Sequence, residues 1–125
     1  MATTNGGKSP EALIPLRPVV FEILLILNEA ERHGYGLMQD IKQRTNGRWI
    51  LGPGTLYRTL KEMQDQDLIE QSRRRPAPDL DDERRRYYRL TKFGRLVAAA
   101  EAQRMASLVS VAQAGDLLSD SERAR

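Results

Sequence analysis

Residues 51–63 read LGPGTLYRTLKEM, two glycines, a proline and a threonine running straight into a helical pattern. Leu56, Leu60 and Met63 recur at i, i+4 and i+7, which places them on one face of a helix running from Pro53 to Gln66. The opposite face collects Gly54, Arg58, Lys61 and Asp65, flanked by Tyr57 and Glu62, so it is basic in its first half and acidic near its end. Two kinds of phosphate site begin this way. A Walker-type nucleotide loop needs Gly, four residues, then Gly-Lys and Ser or Thr. Here Gly54 is followed by Thr55 and Leu56, with no lysine to meet terminal phosphates. What remains is a helix start, either an ordinary one or one that faces a polyanion. Gly54 lets the backbone come close, the free N–H groups and positive dipole end attract a phosphate, and Thr55 adds a hydroxyl donor.

The rest of the chain narrows the partner. Its 125 residues suit one domain, and 30% charged with 40% hydrophobic residues is the composition of a chain that folds in water. Cysteine is absent, which removes disulfides, thiolate metal sites and cysteine nucleophiles together. His33 is the single histidine, and no His-x-x-x-His or Glu-x-x-His spacing exists, so no metal and no other cofactor is expected. Neither paired catalytic carboxylates nor a nucleophile with its base stands out, which argues against an enzyme. The longest apolar stretch, Val19 to Leu27, contains Glu22 and falls far short of the roughly 20 residues that span a bilayer. With Glu11 and prolines in place of a secretion signal, the expected location is cytoplasmic, with no membrane partner.

The net charge of +3 is concentrated. Between residues 31 and 61, Arg32, Lys42, Arg44, Arg48, Arg58 and Lys61 stand against Glu31 and Asp40, a local balance of +4. Between residues 71 and 90, Arg73, Arg74, Arg75, Arg84, Arg85, Arg86 and Arg89 stand against Asp79, Asp81, Asp82 and Glu83, a balance of +3. Clustered arginine points to a polyanion.

Residues 1–16 lack periodicity and read as a flexible tail. From Pro18, VVFEILLILNEAE predicts a helix apolar nearly all round, lying between a core and a second surface. ERHGYGLMQDIKQRTNGRW predicts a turn at His33-Gly34, a second helix on Leu37, Met38 and Ile41, and a stop at Asn46-Gly47. Arg48 to Leu51 is a small strand or an extended connector, with Trp49 packed on the core. LIEQSRRR and RRRYYRLT predict two strands around PAPDLDDE, a hairpin with a long charged loop. Thr91 caps a last helix reaching about Leu118, with an earlier stop available at Gly115 and Asp116, and residues 119–125 fray.

In that last helix, Phe93, Leu96, Val97, Ala100, Met105, Leu108, Val111 and Ala112 cover an arc wider than the ~100° that a surface helix needs. The surplus predicts a helix-to-helix dimer, with Val20 and Leu24 of the first helix joining Leu96, Ala100, Leu108 and Val111. Glu101 and Arg104 interrupt the arc three residues apart, close enough to pair. They read as a dimer-specifying ion pair, a charge lining an effector cavity, or a solvated edge.

Helix, helix, short strand, helix, strand, loop, strand, helix is the order of a winged helix-turn-helix, mainly α with a small β-hairpin. HGYGLMQDI, LGPGTLYRTLKEM, DLIEQS and DDERRRYYRLTKFG resemble the motif string of the PadR family of bacterial transcription regulators, across residues 19 to about 112. The chain is similar to the short branch with one C-terminal helix, which includes multidrug-responsive repressors. The resemblance implies a winged helix-turn-helix over residues 17–90 and a dimerisation helix over 91–118. It also implies a homodimeric repressor that holds double-stranded DNA at a pseudo-palindromic operator and lets go when a small hydrophobic effector binds.

On that resemblance the third helix enters the major groove and the wing, residues 73–86, touches a flank. Tyr35 and Tyr57 are expected either to donate to phosphate beside Gly54 and Thr55 or to serve in packing alone, and Arg58 and Lys61 either to reach base edges or to stand as solvated charges. Arg74 and Arg84 are expected on phosphates, unless the wing arginines pair with Asp81, Asp82 or Glu83. Met105 and Leu108 mark the expected effector site at the dimer centre. Two positions depart from the family pattern. Asp67 stands where a glycine is usual, which aspartate can replace in the left-handed conformation at modest cost. Met105 stands where drug-binding members carry tryptophan, which removes one side of an aromatic sandwich. The other readings are a winged helix that binds an acidic protein and a nonspecific nucleic-acid binder.

Overall fold

The computed structural model describes residues 8–72 and 86–118. The wing loop with Arg73, Arg74, Arg75, Arg84 and Arg85, the first seven residues and the expected fray at 119–125 lie outside the described residues. A short 3-10 helix, Pro10–Leu13, leads into α1 (Pro18–Glu29), β1 (Arg32–His33), α2 (Gly34–Arg44) and α3 (Pro53–Asp65). Strands β2 (Ile69–Gln71) and β3 (Tyr87–Leu90) and the long α4 (Lys92–Ala114) follow. The strands form an antiparallel sheet in the order β1-β3-β2, with Ile69 opposite Leu90 and Arg32 opposite Tyr88. The fold is mainly α with a small sheet, as the sequence predicts.

Local chemistry sets the boundaries. The His33 ring caps α2, its Nδ1 accepting the Gly36 N–H at 2.9 Å. At the other end Asn46 and Gly47 take φ of 54° and 77°, and the Gly47 N–H reaches back to the Lys42 carbonyl at 2.7 Å. Pro53 opens α3 at a position where its missing N–H costs nothing. Beyond Asp65, Asp67 takes φ 63° and the Leu68 N–H returns to the Met63 carbonyl at 2.9 Å, so aspartate fills the usual place of glycine. Thr91 caps α4 by accepting the Gly94 N–H at 2.8 Å, and donates to the Asp67 carbonyl at 2.6 Å. One hydroxyl thereby fixes the start of α4 against the turn after α3. Gly94 is needed there: a β-carbon on it would lie 1.9 Å from the Leu68 carbonyl oxygen. The helix ends at Gly115, with Asp116 at φ 62°, the earlier of the two expected stops.

The core gathers Ile23, Leu24, Leu37, Ile41, Leu56, Leu60, Met63, Leu68 and Val97, with Tyr88 of β3 and Phe93 of α4 closing its edge. Each such aliphatic side chain contributes roughly 1.5–3 kcal/mol through burial. Four expectations change. Val20 and Leu24 are buried inside the protomer, 5% and 0% exposed, because α2, β3 and α4 already cover α1; they leave no surface for a dimer. Residues 10–16 are no tail, since Leu13, Ile14 and Leu16 pack against the core. The third strand is Arg32–His33, while 48–51 is a connector whose Trp49 rests on the core and donates its N–H to Thr45 Oγ1 at 3.0 Å.

Glu101 is the fourth. It is no solvated edge: its side chain is fully buried, and it accepts from Arg104 Nε at 2.5 Å, Arg104 Nη2 at 3.1 Å and the Leu16 N–H at 2.8 Å. The Arg104 guanidinium holds the Glu101 carboxyl below the usual carboxylate range against the opposing pull of burial, with the Leu16 N–H assisting. A buried carboxylate with both oxygens occupied is anchored where an unpaired one would neutralise.

Candidate nucleic-acid interface

The outward face of α3 is built by its inward one. Burying Leu56, Thr59, Leu60 and Met63 turns Gly54, Thr55, Arg58, Lys61, Glu62 and Asp65 to solvent. Thr59 is accommodated by donating to the Thr55 carbonyl at 2.8 Å. At the N-terminus Gly52 has no side chain to cap the helix, and the Leu56 N–H is taken by the Gly52 carbonyl at 3.0 Å. Pro53 has no N–H, so the Gly54 and Thr55 N–H groups are the ones left without an intrahelical acceptor. Both residues are exposed, and no atom lies within 4 Å of where a Gly54 β-carbon would be. Packing therefore does not require glycine at 54.

Charge along this face is uneven. Arg58 is exposed and has no ion-pair partner among the described residues. Lys61, 78% exposed, lies 3.8 Å from Asp65, an i, i+4 surface pair worth roughly 0.3–0.5 kcal/mol and easily exchanged for another anion. Glu62 is held by Arg17 at 2.9 Å, a pair invisible to spacing because 45 positions separate its members. Of the other cations in this region, Arg32 is tied to Asp40 at 3.0 Å and Arg44 to Glu22 at 3.1 Å. Lys42 and Arg48 are exposed and have no carboxylate partner among the described residues. The basic cluster of residues 31–61 is thus partly spent inside the fold.

The two tyrosines separate. Gly34, at the start of α2, packs so closely on α3 that a β-carbon there would lie 2.5 Å from the Tyr57 hydroxyl. That hydroxyl is buried, which withdraws Tyr57 as a phosphate donor and makes it the contact that sets α2 against α3. Tyr35 is 48% exposed beside this contact, its ring stacked on His33 at 6.5 Å between centroids. His33 in turn meets Tyr87 of β3 edge-on at 5.4 Å. An aromatic ladder from the sheet thus supports an exposed phenol at the residue next to Gly34, on which Tyr57 of α3 packs. Glu70 and Arg89, facing each other on β2 and β3, pair at 2.8 Å and occupy one more arginine. The first turn of α3, with Arg58 following it on the same exposed face, presents N–H, hydroxyl and guanidinium donors, the chemistry that suits a phosphodiester backbone and base edges.

The family model described as the transcriptional regulator PadR-like family matches residues 23–100. A protein of Lysinibacillus sphaericus called uncharacterized protein X is 32% identical over 74 residues, covering 58% of this chain and 64% of its own. The transcriptional regulator YqjI of Escherichia coli is 43% identical over 47 residues, covering 38% of this chain and 23% of its own. The chain therefore spans less than two thirds of the length of these curated relatives. Among solved structures, a PadR family transcription regulator of Clostridium difficile is 25% identical with a TM-score of 0.61, over 76% of this chain and 94% of that one. No helix among the described residues is long and apolar enough to cross a membrane. With a family model matching more than half its length and the fold to go with it, the chain belongs to the PadR-like family of transcriptional regulators, DNA-binding winged-helix proteins and not enzymes.

Proposed function

We propose that this chain is a cytoplasmic homodimeric repressor whose α3 lies in the major groove of a pseudo-palindromic operator. The observation that carries the reading is the exposed start of α3: among the described residues two N–H donors without an acceptor, the Thr55 hydroxyl and an Arg58 without an ion-pair partner lie on one face. Gly54, Thr55 and Tyr35 hold phosphates, Arg58 and Lys61 read bases, and Arg74 and Arg84 add wing contacts.

Dimerisation rests on α4. From Ala102 onward none of its described residues is buried, although its apolar stripe continues: Leu108 and Val111 are 55% and 70% exposed, as Leu96 before them is at 56%. Neighbouring exposed side chains of that size belong against another helix. Leu96, Ala100, Leu108 and Val111 form the interface in this reading, and a small hydrophobic effector enters beside Met105 and Leu108. The dimer presents its two reading helices about one duplex turn apart, roughly 34 Å, matching an operator of two half-sites.

A mobility-shift titration on the DNA upstream of its own coding region tests this. A shifted complex that survives scrambled competitor and protects two half-sites supports the reading. Binding indifferent to sequence, or a protein that sediments as a monomer at operator-saturating concentration, overturns it.

A further inference from the structure

The segment before α1 joins two elements that the function treats separately. Leu13, Ile14 and Leu16 lie on the core, and the 3-10 helix at Pro10–Leu13 runs against α4. The Leu16 N–H is bound at 2.8 Å to the fully buried carboxylate of Glu101 in α4. The next residue, Arg17, reaches the other way, to Glu62 on the exposed side of α3 at 2.9 Å. Two adjacent residues therefore connect the helix with the exposed apolar stripe to the helix whose exposed face carries the candidate donors. Arg17 is also the N-cap residue of α1 and carries extended backbone, so it is held at a fixed point of the chain.

We propose that residues 10–17 are a strap through which α4 positions the reading helix, with Glu101 and Arg17 as positioning residues for DNA binding. Glu101 fixes Leu16; Leu16 places Arg17; Arg17 holds Glu62 and cancels its charge beside Arg58 and Lys61. A carboxylate released on that face would stand among groups meant for phosphates and repel the duplex. Displacing α4 then changes the donor face of α3 without touching DNA. The proposal rests on α3 being the DNA-reading element.

The test is a mutant cycle in the full chain, read by operator affinity, amide hydrogen exchange and thermal unfolding. Arg17→Ala should weaken operator binding about two- to fivefold, the reach of one exposed ion pair. In a Glu62→Gln background the same substitution should have no effect; an undiminished loss would mean that Arg17 touches DNA directly and would overturn the strap. Glu101→Ala should lower affinity by a similar factor, and adding Arg17→Ala to it should lower it no further. Glu101→Met, which keeps the volume but removes the acceptor for Leu16, covers the case in which the alanine variant unfolds. Either Glu101 variant should also speed amide exchange in residues 10–17 and in the last turn of α3. Exchange confined to α4, or additive losses of affinity, would overturn the coupling. Arg58→Ala in the same assay separates the two claims, because its indifference would fault the α3 reading while the exchange data still report on the strap.

Discussion

Gly94 and Gly54 are both glycines near a helix start, and the structure gives them opposite reasons for being so. At Gly94 a β-carbon meets a backbone oxygen at 1.9 Å, which no rotamer change can relieve. Gly94→Ala should therefore cost more than about 3 kcal/mol, seen as loss of the cooperative unfolding transition or a much lower midpoint in denaturant. At Gly54 the space is open. Gly54→Ala should leave thermal stability equal or slightly higher, since alanine favours a helix by up to about 1 kcal/mol. It should still weaken DNA binding about tenfold or more, because a hydrogen bond to a charged group is worth roughly 1.5–3 kcal/mol and a methyl keeps the phosphate out of reach. Glu101 offers a test by pH. Arg104 holds its folded-state pKa below that of the unfolded chain, about 4.3, so the pair stabilises fully above that value and stops doing so as pH falls through the folded-state pKa. Glu101→Gln should flatten the acid limb of the melting temperature against pH, below about pH 5, relative to the unsubstituted protein. At this scale the sequence made Thr91, Asp67 and Gly115 legible, because caps and left-handed turns depend on neighbours along the chain. The i, i+3 pairing of Glu101 with Arg104 was legible for the same reason, but the burial of that carboxylate, its bond to the Leu16 N–H 85 positions away and the packing of Gly34 on the Tyr57 hydroxyl leave no local sign.

The elements with strong periodicity follow the sequence most closely. The span of α3 differs by a residue at its end, since a stripe of Leu56, Leu60 and Met63 beginning at a proline has few other solutions. Two short pieces escaped: the two-residue strand β1, which is too brief to alternate, and residues 10–16, whose few apolar side chains show no period at all. For α1 the sequence shows that the helix is apolar nearly all round but not who covers it, and the cover proved to be α2, β3 and α4 of the same protomer. The proposed dimer surface therefore contracts to α4. Leu108→Asp or Val111→Asp should abolish dimers by placing a charge in the interface, while leaving far-ultraviolet circular dichroism and the melting transition of the isolated protomer intact. A loss of helicity in parallel with the loss of dimers would instead place these residues in the protomer's own packing. The same substitution at Leu24, fully buried, should unfold the protein.

Taken whole, the molecule divides its arginines between holding itself together and facing outward. Arg17, Arg32, Arg44, Arg89 and Arg104 are engaged with carboxylates, while Arg48 and Arg58 are exposed and unengaged among the described residues. Net charge is therefore a poor guide to the strength of DNA binding, and the position of the unengaged cations a better one. The salt dependence of operator binding should decrease by about one counterion for each phosphate-contacting cation removed, whereas a base-reading residue should chiefly change sequence preference. Arg58 tests the account most directly. Measured by titration on the operator and on a scrambled duplex at one salt concentration, Arg58→Ala should lose about 1–3 kcal/mol on the operator and little on the scrambled DNA, with an unchanged melting temperature. Equal losses on both duplexes, or none on either, would contradict the claim that the exposed face of α3 reads the sequence.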